Sequence, residues 1–208
     1  DVAGWQAKAL EGQTHPGDYA VQTNGTIQLG APENIGVITG RLLVPTNATI
    51  ILTGPLWVQG TAGSSLEISG NARFQLDDDV TQSVILADGR LTFSGNARFE
   101  TDDDESDLLI MTTAPGTYTP QTAAVVINAN PRFTNAALFA PNGQITVGPS
   151  ASGLSITSFT AAGIFVDSNA KIDYSEGLID AAFNPAGPAG GSFSVLPGSY
   201  QNLTVYNE

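Results

Sequence analysis

Apolar and polar residues alternate in short stretches along most of this chain, and the stretches recur. Leu66-Glu67-Ile68 and Leu91-Thr92-Phe93 each run into the same hexapeptide, Ser-Gly-Asn-Ala-Arg-Phe. The copies stand at Ser69–Phe74 and Ser94–Phe99, 25 residues apart. An acidic run follows each copy, Asp77–Asp79 and Asp102–Glu105. Period-2 alternation predicts strands with one face in and one face out. Self-similarity at such a spacing predicts a solenoid of stacked units.

The repeat extends beyond these two copies. Asparagines recur at Asn24, Asn47, Asn71, Asn96, Asn130 and Asn169, in steps of 23, 24, 25, 34 and 39. The last gap divides at Ile145–Ser150, a degenerate unit with Ser150 in the Asn place, giving steps of 20 and 19. Three residues after each Asn stand Ile27, Ile50, Phe74, Phe99, Phe133 and Ile172, a column for the core. Five after stand Leu29, Leu52 and Leu76, and this second column then fades through Thr101, Asn135 and Tyr174. Four after stand mostly polar residues.

The predicted fold is all-β: a single-stranded parallel β-helix (β-solenoid) with rungs of about 19–25 residues stacked at roughly 4.8 Å. The Asn column is expected at a corner, where left-handed backbone suits Asn. Asn71 and Asn96 are expected to be buried there, bonding amide to amide between rungs. A β-sandwich would explain alternation and turns but not columns in register. Gly4–Glu11 has a helical pattern and is expected to lie over the first rung as a cap. Residues 1–20 are read as lead-in and cap, and 21–180 as the solenoid. Residues 181–208 are read as a Gly/Pro hinge and a tail with strand-like Ser192–Leu196 and Leu203–Tyr206.

Composition fits this picture, with 23 Gly, 12 Pro, no Cys and only 13% charged residues in 208. No apolar run is long enough to span a bilayer as a helix. The chain opens at Asp1 without a signal-peptide pattern, the expectation being a mature or trimmed product. The net charge of −13 disfavours nucleic acid and anionic membranes as partners.

Val84-Ile85-Leu86-Ala87-Asp88-Gly89-Arg90-Leu91, the segment Ala137–Ile145, and Tyr174-Ser175-Glu176-Gly177-Leu178 with its Gly/Pro-rich continuation carry a resemblance. From Trp5 to Val195 the chain resembles the β-helical head of bacterial type IV pilus-associated proteins of the minor-pilin or pilus-assembly kind. The resemblance implies an extracellular or cell-surface location and other appendage subunits as partners. It implies no particular chemistry. Members of that family usually begin with a hydrophobic anchoring helix, and the resemblance, which starts at Trp5, does not extend to one.

Three features are candidates for function. Asp77, Asp78 and Asp79 would stack beside Asp102, Asp103, Asp104 and Glu105, a candidate calcium set, since calcium takes several oxygen ligands. The plain alternative is solvated acidic loops. Arg73, Arg98, Arg132 and Lys171 all fall two residues after a repeat Asn. They read either as partners of the acidic runs in exposed ion pairs, worth little each, or as a cationic stripe for an acidic glycan. Trp57, Tyr118, Tyr174, Tyr200 and Tyr206 read as core and cap residues, or as an aromatic row for sugars. Three sequons begin at Asn24, Asn47 and Asn202, and the first two read as ladder positions.

His15 is the only histidine, so no multi-histidine metal site can form within one chain. Paired carboxylates such as Asp77 and Asp102 leave a polysaccharide lyase or hydrolase as a competing class. The expectation is a non-enzymatic structural or adhesive extracellular solenoid of a pilus-like appendage, with copies of itself, appendage subunits or surface glycans as partners and no cofactor except candidate calcium. The alternatives are a polysaccharide-binding or polysaccharide-cleaving β-helix and a subunit of a self-assembling extracellular fibre.

Overall fold

A computed structural model of the chain describes residues 1–61, 63–101, 106–116, 122–156 and 158–174. The described residues form a parallel β-solenoid with one short helix, α1 (Val2–Ala9). The first rung holds β1 (Gln13–His15), β2 (Tyr19–Ala20) and β3 (Thr26–Leu29). The second holds β4 (Ile35–Ile38), β5 (Leu42–Val44) and β6 (Thr49–Leu52), and the third β7 (Leu56–Val58), β8 (Ser64–Ile68) and β9 (Arg73–Leu76). The fourth holds β10 (Gln82–Ala87), β11 (Arg90–Phe93) and β12 (Arg98–Glu100), and the fifth β13 (Asp107–Thr112), β14 (Val125–Ile127) and β15 (Arg132–Phe133). In the last two rungs one long strand serves two faces: β16 (Ala136–Val147) precedes β17 (Leu154–Ile156), and β18 (Ser158–Val166) precedes β19 (Ile172–Tyr174). Among the described residues seven rungs, or about six turns from first to last, therefore begin at Gln13, inside the stretch read as lead-in. The tail 181–208 lies outside the described residues.

Each rung contributes to three faces. The first face runs β1-β4-β7-β10-β13-β16, the second runs β2-β5-β8-β11-β14-β16, and β18 pairs with both halves of β16. The third face is a separate sheet, β3-β6-β9-β12-β15-β17-β19. Every pairing between these strands is parallel, and the predicted columns lie opposite one another: Ile27 with Ile50, Ile50 with Phe74, Phe74 with Phe99, and Phe99 with Phe133. The degenerate unit at Ile145–Ser150 is real, since Ile145 pairs with Val125 and Ala151 is fully buried.

The core is the channel between the three faces. Phe74, Phe93, Phe99 and Phe133 are its largest fully buried side chains. Phe74 and Phe99 stack at 4.6 Å between ring centroids and Phe99 and Phe133 at 4.8 Å, while Phe93 meets both Phe99 and Phe133 edge-on at 5.7 Å. Ring spacing close to the strand spacing lets the aromatic column follow the backbone ladder without strain.

The corner before the third face explains the hexapeptide. A Cβ on Gly95 would run into the Gly70 backbone of the preceding rung, so that corner admits only glycine at this position. The residue after Asn47, Asn71 and Asn96, and after Ser150 in the Asn place, is a small residue turned inward: Ala48, Ala72, Ala97 and Ala151 are buried. The backbone bonds Arg73 N–H to Ala48 O, Arg98 N–H to Ala72 O and Arg132 N–H to Ala97 O, all 2.8 Å, zip the corner from rung to rung.

Three expectations are corrected. The Asn side chains are not buried: Asn71 and Asn96 are exposed, because the inward position at the corner belongs to the next residue, Ala72 or Ala97. Lys171 leaves the Arg column, since Arg132 lies opposite Ser155 and Ser155 opposite Asp173. The shift of two residues preserves the in-out alternation, so Leu154 stays in the core while the register moves. The helix covers a side, not the first rung. Trp5 and Ala9 are buried, and Trp5 packs with the outward-facing Val84, Leu86 and Met111 of the first face, with Trp57 beside them. Those outward apolar positions offer a larger dry surface than the polar first rung. Asp1 caps the helix by accepting from Gly4 N–H at 3.1 Å.

Candidate functional site

The outer side of the third face carries the arginines. Arg73, Arg98 and Arg132 stand opposite one another on β9, β12 and β15. Alternation puts their neighbours Phe74, Phe99 and Phe133 inside and the guanidinium groups outside. Glu100, on β12, serves two of them: Arg73 Nε lies 3.5 Å and Arg98 Nη1 3.7 Å from its carboxylate. Among the described residues these arginines pair within the sheet, with Glu100. Arg132 is exposed and makes no ion pair among the described residues. Lys171 pairs with Asp173 at 3.5 Å, off the column.

Of the candidate calcium set, Asp77, Asp78 and Asp79 lie in the turn after β9. Asp77 O accepts from Val80 N–H at 2.8 Å, and its carboxylate accepts from Gln28 Nε2 at 3.3 Å. Asp102, Asp103, Asp104 and Glu105 lie outside the described residues. Among the described residues no group of three acidic, histidine or cysteine side chains could hold a metal ion.

The Asn ladder exists, but at the surface. Asn24 and Asn47 take the left-handed backbone expected of a corner, with φ of 58° and 59°. Asn47 Nδ2 donates to Asn24 Oδ1 at 3.1 Å. At the next rung Gly70, with φ of 70°, makes the left-handed turn in place of Asn71. Asn96 Oδ1 accepts from Asn130 N–H at 3.3 Å, and Asn130 Oδ1 from Gly153 N–H at 2.8 Å. Asn169 N–H donates to Asp167.

Two polar sites escaped the sequence reading. Arg41 donates through Nε and Nη2 to Asp18, at 3.0 and 2.7 Å, and through Nη1 to Glu67 at 3.2 Å. The Arg41 guanidinium holds the Asp18 carboxyl below the usual carboxylate range. The signal was available: Asp18, Arg41 and Glu67 are 23 and 26 residues apart, the repeat spacing itself. The second site is Asp88, whose carboxylate accepts from Trp57 Nε1 at 2.9 Å. Burial pushes the Asp88 carboxyl up, opposed by hydrogen bonds from Trp57 and Thr113. Trp57 thus has its ring in the apolar cluster under the helix and only its N–H in a polar bond. Tyr118, Tyr200 and Tyr206 lie outside the described residues, and for Tyr174 only the backbone is described.

An open groove of about 430 Å³ crosses the outside of the second face, over Leu43, Glu67, Thr92, Ser69 and Ser94. Its only carboxylate is Glu67, engaged by Arg41 and by Ser64 Oγ at 3.0 Å. His15 lies on the first rung with its ring edge-on to Tyr19 at 4.9 Å. No helix among the described residues is long and apolar enough to cross a membrane. Comparison with family models, with curated proteins and with solved structures finds no match to this chain.

Proposed function

We propose that the chain is a non-enzymatic structural and adhesive solenoid of an extracellular, pilus-like surface appendage, built to join other subunits through its ends. The observation that carries this reading is the last rung. Among the described residues β18 pairs only with β16 and β19 only with β17, so no described strand covers the outer edge of either. Val166 continues the inward column of Val147, yet it is 40% exposed where Val147 is fully buried, and Phe165 beside it is 47% exposed. At the other end β1, β2 and β3 are paired on one side only among the described residues. Open parallel edges at both ends of a solenoid are templates for strand addition, and unlike ends generate open-ended assemblies.

Light scattering of the full chain across a concentration series tests the reading. The expected result is a mass that grows with concentration and returns toward monomer in Val166→Lys, a charge set into the exposed end of the core. A chain that stays monomeric at every concentration overturns it.

A further inference from the structure

The arginine column on the third face presents an uneven charge. Three guanidinium groups stand opposite one another on adjacent parallel strands. Like charges so placed repel unless an anion lies between them. Between Arg73 and Arg98 that anion is Glu100. One rung further the equivalent position is Thr134, whose N–H bonds Phe99 O beside Glu100 in the parallel ladder at 2.8 Å. Thr134 is exposed and carries no charge. Arg98 thus shares its carboxylate with Arg73 and Arg132 makes no ion pair, so Arg98 and Arg132 stand side by side with no anion between them among the described residues, in a protein whose net charge is −13.

We propose that Arg98 and Arg132 bind the carboxylate of an acidic polysaccharide, a polyuronate lying along the solenoid axis. A ligand carboxylate would hold toward these two residues the place that Glu100 holds toward Arg73 and Arg98. Planar guanidinium groups match a carboxylate in forked, two-bond geometry, which a lysine does not offer. The rungs repeat at about 4.8 Å, close to the length of one sugar in an extended polyuronate, so a chain can pass its next hydroxyls over Thr134 and Ser155. A nucleic acid fits less well. Its duplex carries about one charge per 1.7 Å of axis, and an acidic protein repels such a density more than the sparse charge of a uronate chain. This inference does not rest on end-to-end assembly. A monomeric chain can still bind the sugar, and an assembling one can fail to.

Titration calorimetry of the full chain with oligogalacturonate at low salt tests it, with a neutral maltooligosaccharide and polyphosphate as comparison ligands. The expected result is binding of oligogalacturonate alone. It should weaken about tenfold or more in Arg98→Gln/Arg132→Gln, a loss of at least one good charged contact. It should also weaken at about 0.15 M salt, where the Debye length falls to ~8 Å. Lys171→Gln removes the same charge away from the column and should change the affinity less than about twofold, as for a remote exposed charge. Circular dichroism of each variant confirms that the solenoid is intact, which exposed positions make the expected result. The proposal is overturned by no binding at low salt, by equal losses in the double variant and Lys171→Gln, or by equal binding of polyphosphate or the neutral sugar.

Discussion

The Phe column and the Asn column come from the same hexapeptide three residues apart, yet one is sealed in the core and the other stands in solvent. Phe74, Phe99 and Phe133 are fully buried. Asn71 and Asn96 are exposed. Both columns repeat for geometric reasons, but the reasons differ. The Phe column repeats because parallel stacking brings equal rings to equal depth, where each can bury its whole surface. The Asn column repeats at an exposed corner where a short polar side chain reaches the neighbouring rung, as Asn47 reaches Asn24 and as Asn96 and Asn130 accept from backbone N–H groups of the rung after them. Recurrence in register marks stacking. It does not by itself mark burial.

The largest effect belongs to the inner column. Phe99 touches aromatic rings above, below and beside it. Phe99→Ala should cost about 3–5 kcal/mol, transfer and cavity terms together. Urea denaturation measures this, and a loss below about 1 kcal/mol would break the distinction between the columns, since Phe99 would then behave as a surface residue.

Much of the fold was legible in the chain, and the misreadings have physical sources. Alternation around Leu66–Ile68 and Leu91–Phe93, plus the constant three-residue offset from Asn to an apolar residue, specified parallel rungs and their register through Phe133. Register failed at Lys171 because the sixth rung carries extra residues after Ala151, and spacing counted from the Asn place misses such an insertion. Exposure of the Asn is not legible in the spacing, because only the packed corner shows that the small residue behind it, Ala72 or Ala97, takes the inward position. The helix was recognised but its docking was not. The dry outer surface at Val37, Trp57 and Leu86 is assembled from rungs 20 to 29 residues apart, and only knowledge of the register brings those residues together. The arginine column was legible as a column, but Glu100 as its shared partner required the outer side of the sheet to be seen.

A middle-sized effect is expected at the outer column. Asn96→Ala removes one acceptor for Asn130 N–H at an exposed corner. Water can replace the lost partner, so the cost should be about 0.5–1 kcal/mol, the range of a single net hydrogen bond. A loss of more than about 2 kcal/mol in the same urea experiment would place Asn96 among buried polar groups that cannot be rehydrated, and the two columns would then share one physics.

The smallest effect concerns a polar residue between these extremes. Asp88 sits half-buried at the corner between the first and second faces, its carboxylate on Trp57 Nε1. Burial raises its pKa, and the Trp57 and Thr113 hydrogen bonds only partly oppose that. The folded protein therefore keeps the Asp88 proton to higher pH than the unfolded chain does. This contribution to stability is fully present below the unfolded-state pKa and is lost as pH rises through the raised folded value. Asp88→Asn removes the titration while leaving a side-chain oxygen to accept from Trp57. Between about pH 4 and pH 7, the stability of the parent chain should decline relative to the variant, so the variant gains its advantage toward neutral pH. Urea midpoints for the two proteins across that window measure the difference directly, with every other carboxylate common to both. If the two curves run parallel, Asp88 is as well solvated as the Asn column, and only the inner column of this solenoid is dry.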